Sequence, residues 1–254
     1  MKIKIVVPVH LASRRLERKA LIDIEGLPMI EHVRRRAMLS QGISDVYIAT
    51  GDKEIKNIVE KYGGKVILTK QNHQNGTSRV AEAISNIDCS HVLLVQGDEP
   101  LLIPHYIDLF IKGIKKSNTD KMWNAITRFK EMNFVHEHSL VKCFLDVNKH
   151  IISCFRKVPV SSQILKFKKI LFKMHGLIAY EKNFLEELVS LKETKYSKLE
   201  SIEQMKAIEY GFKIKTVELP GDFPSVNTKS ELEIVKNILA NNSNQQHLFN
   251  SIIK

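Results

Sequence analysis

Glycine-rich phosphate loops are missing from this 254-residue chain. Neither G-x-x-x-x-G-K-[ST] nor G-x-G-x-x-G occurs. A bound nucleotide would have to be held largely by side-chain cations. Cysteine is scarce: Cys89, Cys143 and Cys154 have no metal-ligand spacing and read as reduced, buried thiols. Long apolar runs are absent too, and stretches such as Val92-Leu93-Leu94-Val95 are far too short to span a bilayer. The apolar start, Met1 to Val7, flows directly into a charged loop and reads as a first strand rather than a signal peptide. A cytoplasmic protein is expected. There is no internal repeat, no zinc finger and no RNA-binding aromatic signature.

What the chain has in excess is positive charge, formally +11. That balance is compatible with nucleotide phosphates, a sugar acid, a membrane surface or nucleic acid. The lysines are spread along the chain instead of packed into one tail. Neither nucleic-acid binding nor stable membrane insertion is expected.

The N-terminal half alternates strand and helix. Strands are expected at 3–7, 45–49, 65–68 and 91–95, and helices at 29–40, 53–62 and 78–86. Arg34 to Arg36 fall on the wet side of the first helix, and Thr77 is the expected N-cap of the third. A helix follows Pro104, then strands at 140–146, 151–155 and 177–180. Helices at 183–191 and 199–210, a strand at 213–218 and a helix at 230–240 complete the pattern, with a frayed tail from 241. This rhythm predicts an α/β fold with a mostly parallel sheet and right-handed crossovers. One domain over 1–240 is expected, with a central insertion at about 130–180 and a flexible tail over 241–254.

Open α/β sheets bind ligands beyond the carboxyl ends of their strands. Three polar loops fall there. The first follows Pro8 and carries Ser13, Arg14, Arg15 and Lys19, a cation cluster suited to a triphosphate. The second, His73-Gln74-Asn75-Gly76-Thr77-Ser78-Arg79, offers groups that can read a base edge or a ribose. The third, Val95-Gln96-Gly97-Asp98-Glu99-Pro100, places a carboxylate where Mg²⁺ could sit with substrate phosphates.

Taken together, P-x-x-x-x-S-x-R-L-x-x-K-x-L, H-Q-x-G-T-x-R and V-Q-G-D-E-P resemble the 3-deoxy-manno-octulosonate (Kdo) cytidylyltransferases, the CMP-Kdo synthetases. The resemblance also covers Gly26 to Val33, Val141-Lys142, Tyr210-Gly211 and Val226-Asn227-Thr228. It implies a three-layer, Rossmann-like nucleotidyltransferase fold and a homodimer. It implies a reaction in which CTP and a 2-keto sugar acid give a CMP-sugar and pyrophosphate, for cell-surface polysaccharide or lipopolysaccharide synthesis. Carried over by position, Arg15, Lys19 and Asp98 are the catalytic candidates. Ser13, Arg15 and Lys19 would hold the phosphates, with His10 beside them. Gln96 and the loop with His73, Asn75, Gly76 and Arg79 would frame the cytidine. Asp98 and Asn227 occupy the Mg²⁺ positions, and Tyr180, Glu200, Glu203 and Gln204 the sugar-acid positions.

The chain departs from the family pattern at several of these places. Glu17-Arg18-Lys19-Ala20 stands for P-G-K-P, His10 for an Arg, Met174 for a His and Ser197 for a Glu. Asn227 stands for an Asp that ligates metal in the family, with Asp222 and Glu99 as the nearby carboxylates that could compensate. Two functions remain open: an active cytidylyltransferase with an altered sugar acid, or a sugar-nucleotide-binding protein with little catalysis. Lys19, Arg15 and Asp98 favour the first, and Asn227 and His10 the second.

Overall fold

A computed structural model describes residues 1–13, 15–117, 119–129, 131, 135–158, 168–221 and 224–253. Arg14 and Asp222 lie outside the described residues. The chain divides into two compact units, Met1–Leu109 with Phe223–Lys254, and Phe110–Asp222. The partition differs from a single domain interrupted at about 130–180.

The first unit begins with β1 (Ile3–Pro8), a short hairpin of β2 (Asp23–Ile24) and β3 (Leu27–Pro28), and α1 (Met29–Met38). It continues through β4 (Val46–Thr50), α2 (Lys53–Lys61), β5 (Lys65–Leu68), α3 (Gly76–Ile84) and β6 (His91–Val95). β1 pairs in parallel with β4 and with β6, and β4 with β5, giving the order β6-β1-β4-β5. The expected parallel α/β arrangement is present. Ile5, Val6, Val7, Ile48 and Val92 to Val95 are fully buried, as strands with both faces covered require.

Helix α4 (Pro104–Lys116) leads to the second unit. There β7 (Met122–Arg128), β8 (Lys142–Leu145), β9 (Ile151–Phe155) and β10 (Leu171–Glu181) precede α5 (Lys182–Ser190). Then come α6 (Lys195–Glu200), α7 (Glu203–Glu209) and β11 (Lys215–Glu218). β10 runs antiparallel to β7 and to β8, β8 antiparallel to β9, and β11 parallel to β7. The helix expected over 199–210 is two helices. Ser201 at φ 52° takes a left-handed conformation and breaks the run.

The chain returns to the first unit as α8 (Lys229–Asn241) and α9 (Ser243–Ile252). The expected loose tail is thus a helix, and tertiary bonds hold it. Gln245 is fully buried. Its Oε1 accepts from Arg36 Nη1 at 2.7 Å and its Nε2 donates to Leu101 O at 3.0 Å. Arg36 and Arg34 are therefore buried, contrary to the wet face expected for them. Arg34 is paired with the buried Glu31 at 2.6 Å. Among the described residues, no helix is long and apolar enough to cross a membrane.

His32, also buried, stacks on Phe249 of α9 and bonds Ile24 O at 2.8 Å. Loss of water pushes its imidazole down to about 4, with Arg36 adding to the effect. An unfolded histidine titrates near 6.5. The stability this group contributes is complete above that pH. It is lost as pH falls toward the folded value, because the unfolded chain takes the proton first. The difference amounts to about 3 kcal/mol. Urea titrations at neutral pH and at pH 4 should show His32→Gln losing less stability on acidification than the wild type, by up to about that amount. Equal losses would mean that His32 charges freely in the fold.

Candidate active site

Among the described residues after Pro8, no strand or helix occurs before a 3₁₀ turn at Lys19–Leu21. Two features shape this loop. Leu16 is buried in a cluster with Ile24, Met29, Val226, Leu232 and Val235, which pins the loop to α1 and α8. Arg18, at φ 53°, turns the chain so that Lys19 points back under it. Lys19 Nζ then donates to Asp98 Oδ2 at 2.8 Å, to Asn227 Oδ1 at 3.0 Å and to Val226 O at 3.2 Å. These satisfy all three donors of an ammonium. Arg15 Nη2 reaches the same Asn227 Oδ1 at 2.9 Å.

Asp98 comes from the turn after β6. A Cβ on Gly97 would lie 2.4 Å from Val9 Cγ1. Only glycine lets this turn approach the first loop so closely. Asp98 O accepts the Val226 amide at 2.8 Å, so the turn also grips the approach to α8. There Thr228 and Glu231 form a reciprocal capping box. Glu231 Oε2 accepts from Asn227 N at 2.7 Å and from Thr228 N at 2.9 Å. The box therefore sets the backbone from which Asn227 faces Lys19.

The loop between β5 and α3 is organised from within. Asn75, not Thr77, caps α3, accepting from Ser78 N at 2.9 Å. Arg79 is buried, and it donates to Thr69 Oγ1, Lys70 O and Gln71 O at 2.6, 3.2 and 3.1 Å. Its guanidinium braces the loop. His73 lies 2.9 Å from Glu82 and 3.1 Å from Ser78 Oγ. Gly76 approaches Pro8, where an added Cβ would be 3.1 Å from the ring. Gln96 sits half-buried beyond β6, and Ser13 half-buried in the first loop. His10 is exposed there. Partial desolvation and the charges of Arg79 and Lys19 hold its imidazole below the ordinary value, so it is neutral at pH 7.

The sugar-acid candidates belong to the second unit. Tyr180 is buried in β10. Glu200 Oε2 accepts the Arg156 amide at 3.0 Å. Gln204 is buried and donates to Asn124 Oδ1 at 2.8 Å. Glu203 opens α7, partly exposed.

Arg15, Lys19, Asp98 and Asn227 thus converge, with two cations against one carboxylate. The excess positive charge suits phosphate oxygens. Two contributors escape a reading of the sequence. Glu231 is legible only through its capping spacing. Asp52 follows a strand through Gly51 just as Asp98 follows one through Gly97.

The chain matches the family model of cytidylyltransferases over residues 4–214. It is 34% identical over 239 residues to the 8-amino-3,8-dideoxy-manno-octulosonate cytidylyltransferase of Shewanella pealeana, covering 92% of this chain and 97% of that one. It is 33% identical over 241 residues to the 3-deoxy-manno-octulosonate cytidylyltransferase of Syntrophus aciditrophicus, covering 94% and 97%. A solved CMP:2-keto-3-deoxy-manno-octonic acid synthetase in complex with CTP superposes with a TM-score of 0.87 at 29% identity, covering 94% of this chain and 99% of that one.

Removing the capping carboxylate tests how Asn227 is held. Glu231→Ala should lower stability by about 1 kcal/mol. It should also speed amide exchange at 226–230 ahead of the rest of α8. Unchanged exchange there would assign the placement of Asn227 to Leu16 packing alone.

Proposed function

The chain belongs to the cytidylyltransferase family, and on that premise we propose that it transfers the cytidylyl group of CTP to Kdo or a Kdo-like 2-keto sugar acid, releasing pyrophosphate. The observation that carries this reading is the junction of Lys19 and Arg15 on Asp98 and Asn227 at the end of a parallel sheet. In the reaction, the anomeric hydroxyl of the sugar acid attacks the α-phosphorus of CTP. A new C–O–P bond forms, the bond to the β-phosphate oxygen breaks, and the hydroxyl proton passes to water. Negative charge grows on the departing pyrophosphate. Lys19 and Arg15 are placed to offset it, and Asp98 holds the Lys19 ammonium beside the site as long as no metal takes its carboxylate. Half-burial of Lys19 makes its interaction stronger than it would be in water, whereas Arg15 is exposed. The neutral His10 donates a hydrogen bond rather than a charge. Gln96 and the His73-to-Arg79 loop frame the base.

Mg²⁺ suits the same cluster. Asp98 Oδ2 and Asn227 Oδ1 converge on one cation, the Lys19 ammonium, at 2.8 and 3.0 Å. A carboxylate and an amide oxygen, completed by substrate phosphates and water, make an acceptable donor set for this ion. When bound, it would withdraw charge from the phosphate oxygens. The buried, free state of all three cysteines supports the expected reducing, cytoplasmic setting. The exposed Ile152, Tyr196 and Leu199 of the second unit suit burial in the expected homodimer.

The second reading, a binding protein with little turnover, draws on the neutral Asn227. Pyrophosphate release from CTP with Mg²⁺ and a panel of 2-keto sugar acids separates the two. Lys19→Ala should cut the rate about 100-fold or more, with the fold intact by circular dichroism. A wild-type rate would place Lys19 outside the chemistry. Asn227→Asp should lower the Mg²⁺ needed for half-maximal rate by roughly tenfold, because ligand charge sets the affinity of oxygen sites. An unchanged Mg²⁺ curve would put Asn227 away from the metal. A wild type inert with every acid beside an active Asn227→Asp would establish the binding protein.

A further inference from the structure

Asp52 stands at the N-terminal boundary of α2, where an aspartate ordinarily caps its own helix. Here its side chain makes no capping bond to α2. The two carboxylate oxygens face away and serve two different loops. Oδ2 accepts the Leu11 amide at 2.9 Å, in the loop that carries Ser13, Arg15 and Lys19. Oδ1 accepts from Gln71 Nε2 at 2.8 Å, in the loop that leads to His73, Asn75 and Arg79. The preceding residue makes this reach possible. A Cβ on Gly51 would fall 2.7 Å from Gln71 Cα and 2.9 Å from Lys70 O, so any larger residue would push the second loop away. The charge of Asp52 also acts on His10 and Arg79, one from each loop, opposing the desolvation that lowers both their pKa values.

We propose that Asp52 is a positioning residue for nucleotide binding: one carboxylate clamps the phosphate loop to the base loop. The clamp rests on the reading that these loops hold CTP. It goes beyond that reading in assigning their spacing to a residue outside all three loops. The Arg79 guanidinium braces the second loop from inside, through Thr69, Lys70 and Gln71. Asp52 joins that braced loop to the first. The phosphate and base contacts are thereby set before the ligand arrives, which reduces the ordering cost of binding.

Three variants separate the clamp from a helix cap. Serine is a good N-cap but too short to bridge two loops, so Asp52→Ser removes the clamp without weakening the start of α2. Asp52→Asn keeps one accepting oxygen, and Asp52→Ala keeps none. The KM for CTP should rise about tenfold or more in Asp52→Ser and Asp52→Ala, and less in Asp52→Asn. kcat at saturating CTP should change far less than KM. Wild-type KM in Asp52→Ser would overturn the clamp. Amide exchange without nucleotide gives a second readout. Asp52→Ser should speed exchange at Leu11 while Lys53–Lys61 stays protected, and unchanged exchange at Leu11 would likewise overturn the clamp. A wild type that neither binds nor turns over CTP, with the exchange change present, would sink the functional reading and uphold the clamp between the loops.

Discussion

The first unit depends on one ammonium group. Lys19 Nζ joins three segments distant in sequence: its own loop after β1, the Asp98 turn after β6, and the Val226-Asn227 approach to α8. A half-buried charge is tolerable only when every donor has a partner. The ammonium therefore sets how the three segments meet, while the buried strands hold the fold of the unit itself. Leu16 supplies the apolar anchor beside the charged one, packing against Val226 and the inner face of α8. On the proposed function, the ammonium that joins these loops is also the one that meets the phosphates.

Support for that junction comes from further away in layers. The capping box of Thr228 and Glu231 orients Asn227. Helix α9 follows α8 and is locked by Gln245 onto the buried Arg36 of α1. Helix α9 is therefore a brace for the helices that adjoin the loops after β1 and β6. The second unit shows a similar economy. Lys142, buried and pushed down to about 8 by desolvation, donates to the carbonyls of Glu137, Leu140 and Arg156. The Arg156 side chain donates to Glu200 O at 2.8 Å and Ser201 O at 3.1 Å, fixing the turn between α6 and α7.

These pairings change the meaning of the +11 charge. Arg34, Arg36, Arg79 and Lys142 are all buried, and their head groups hold carbonyls, an amide and a carboxylate. These cations are internal scaffolding and present no face to a polyanion. Arg15 and Lys19 stand apart from these, in the loop that follows β1.

The amino-acid sequence by itself determined the strand-helix alternation of the first unit, the three polar loops after β1, β5 and β6, and the presence of Arg15, Lys19 and Asp98 in them. Those features are local, since apolar runs end at polar turns and the turn residues name the chemistry. Tertiary structure alone decided what the polar groups inside the fold do. Strand β7 carries Asn124 and Thr127 among apolar residues, so its sequence shows no clean strand pattern. They are buried because Gln204 and Leu219 O supply partners from far along the chain. Arg36 reads as a surface residue until α9 brings Gln245 to it, and nothing local marks Asp52, whose partners Leu11 and Gln71 arrive only with the folded loops. A hydrogen-bonding group is legible in sequence only when its partner is a near neighbour. When the partner arrives by long-range folding, the cost of leaving it unpaired selects the structure, and no local pattern records it.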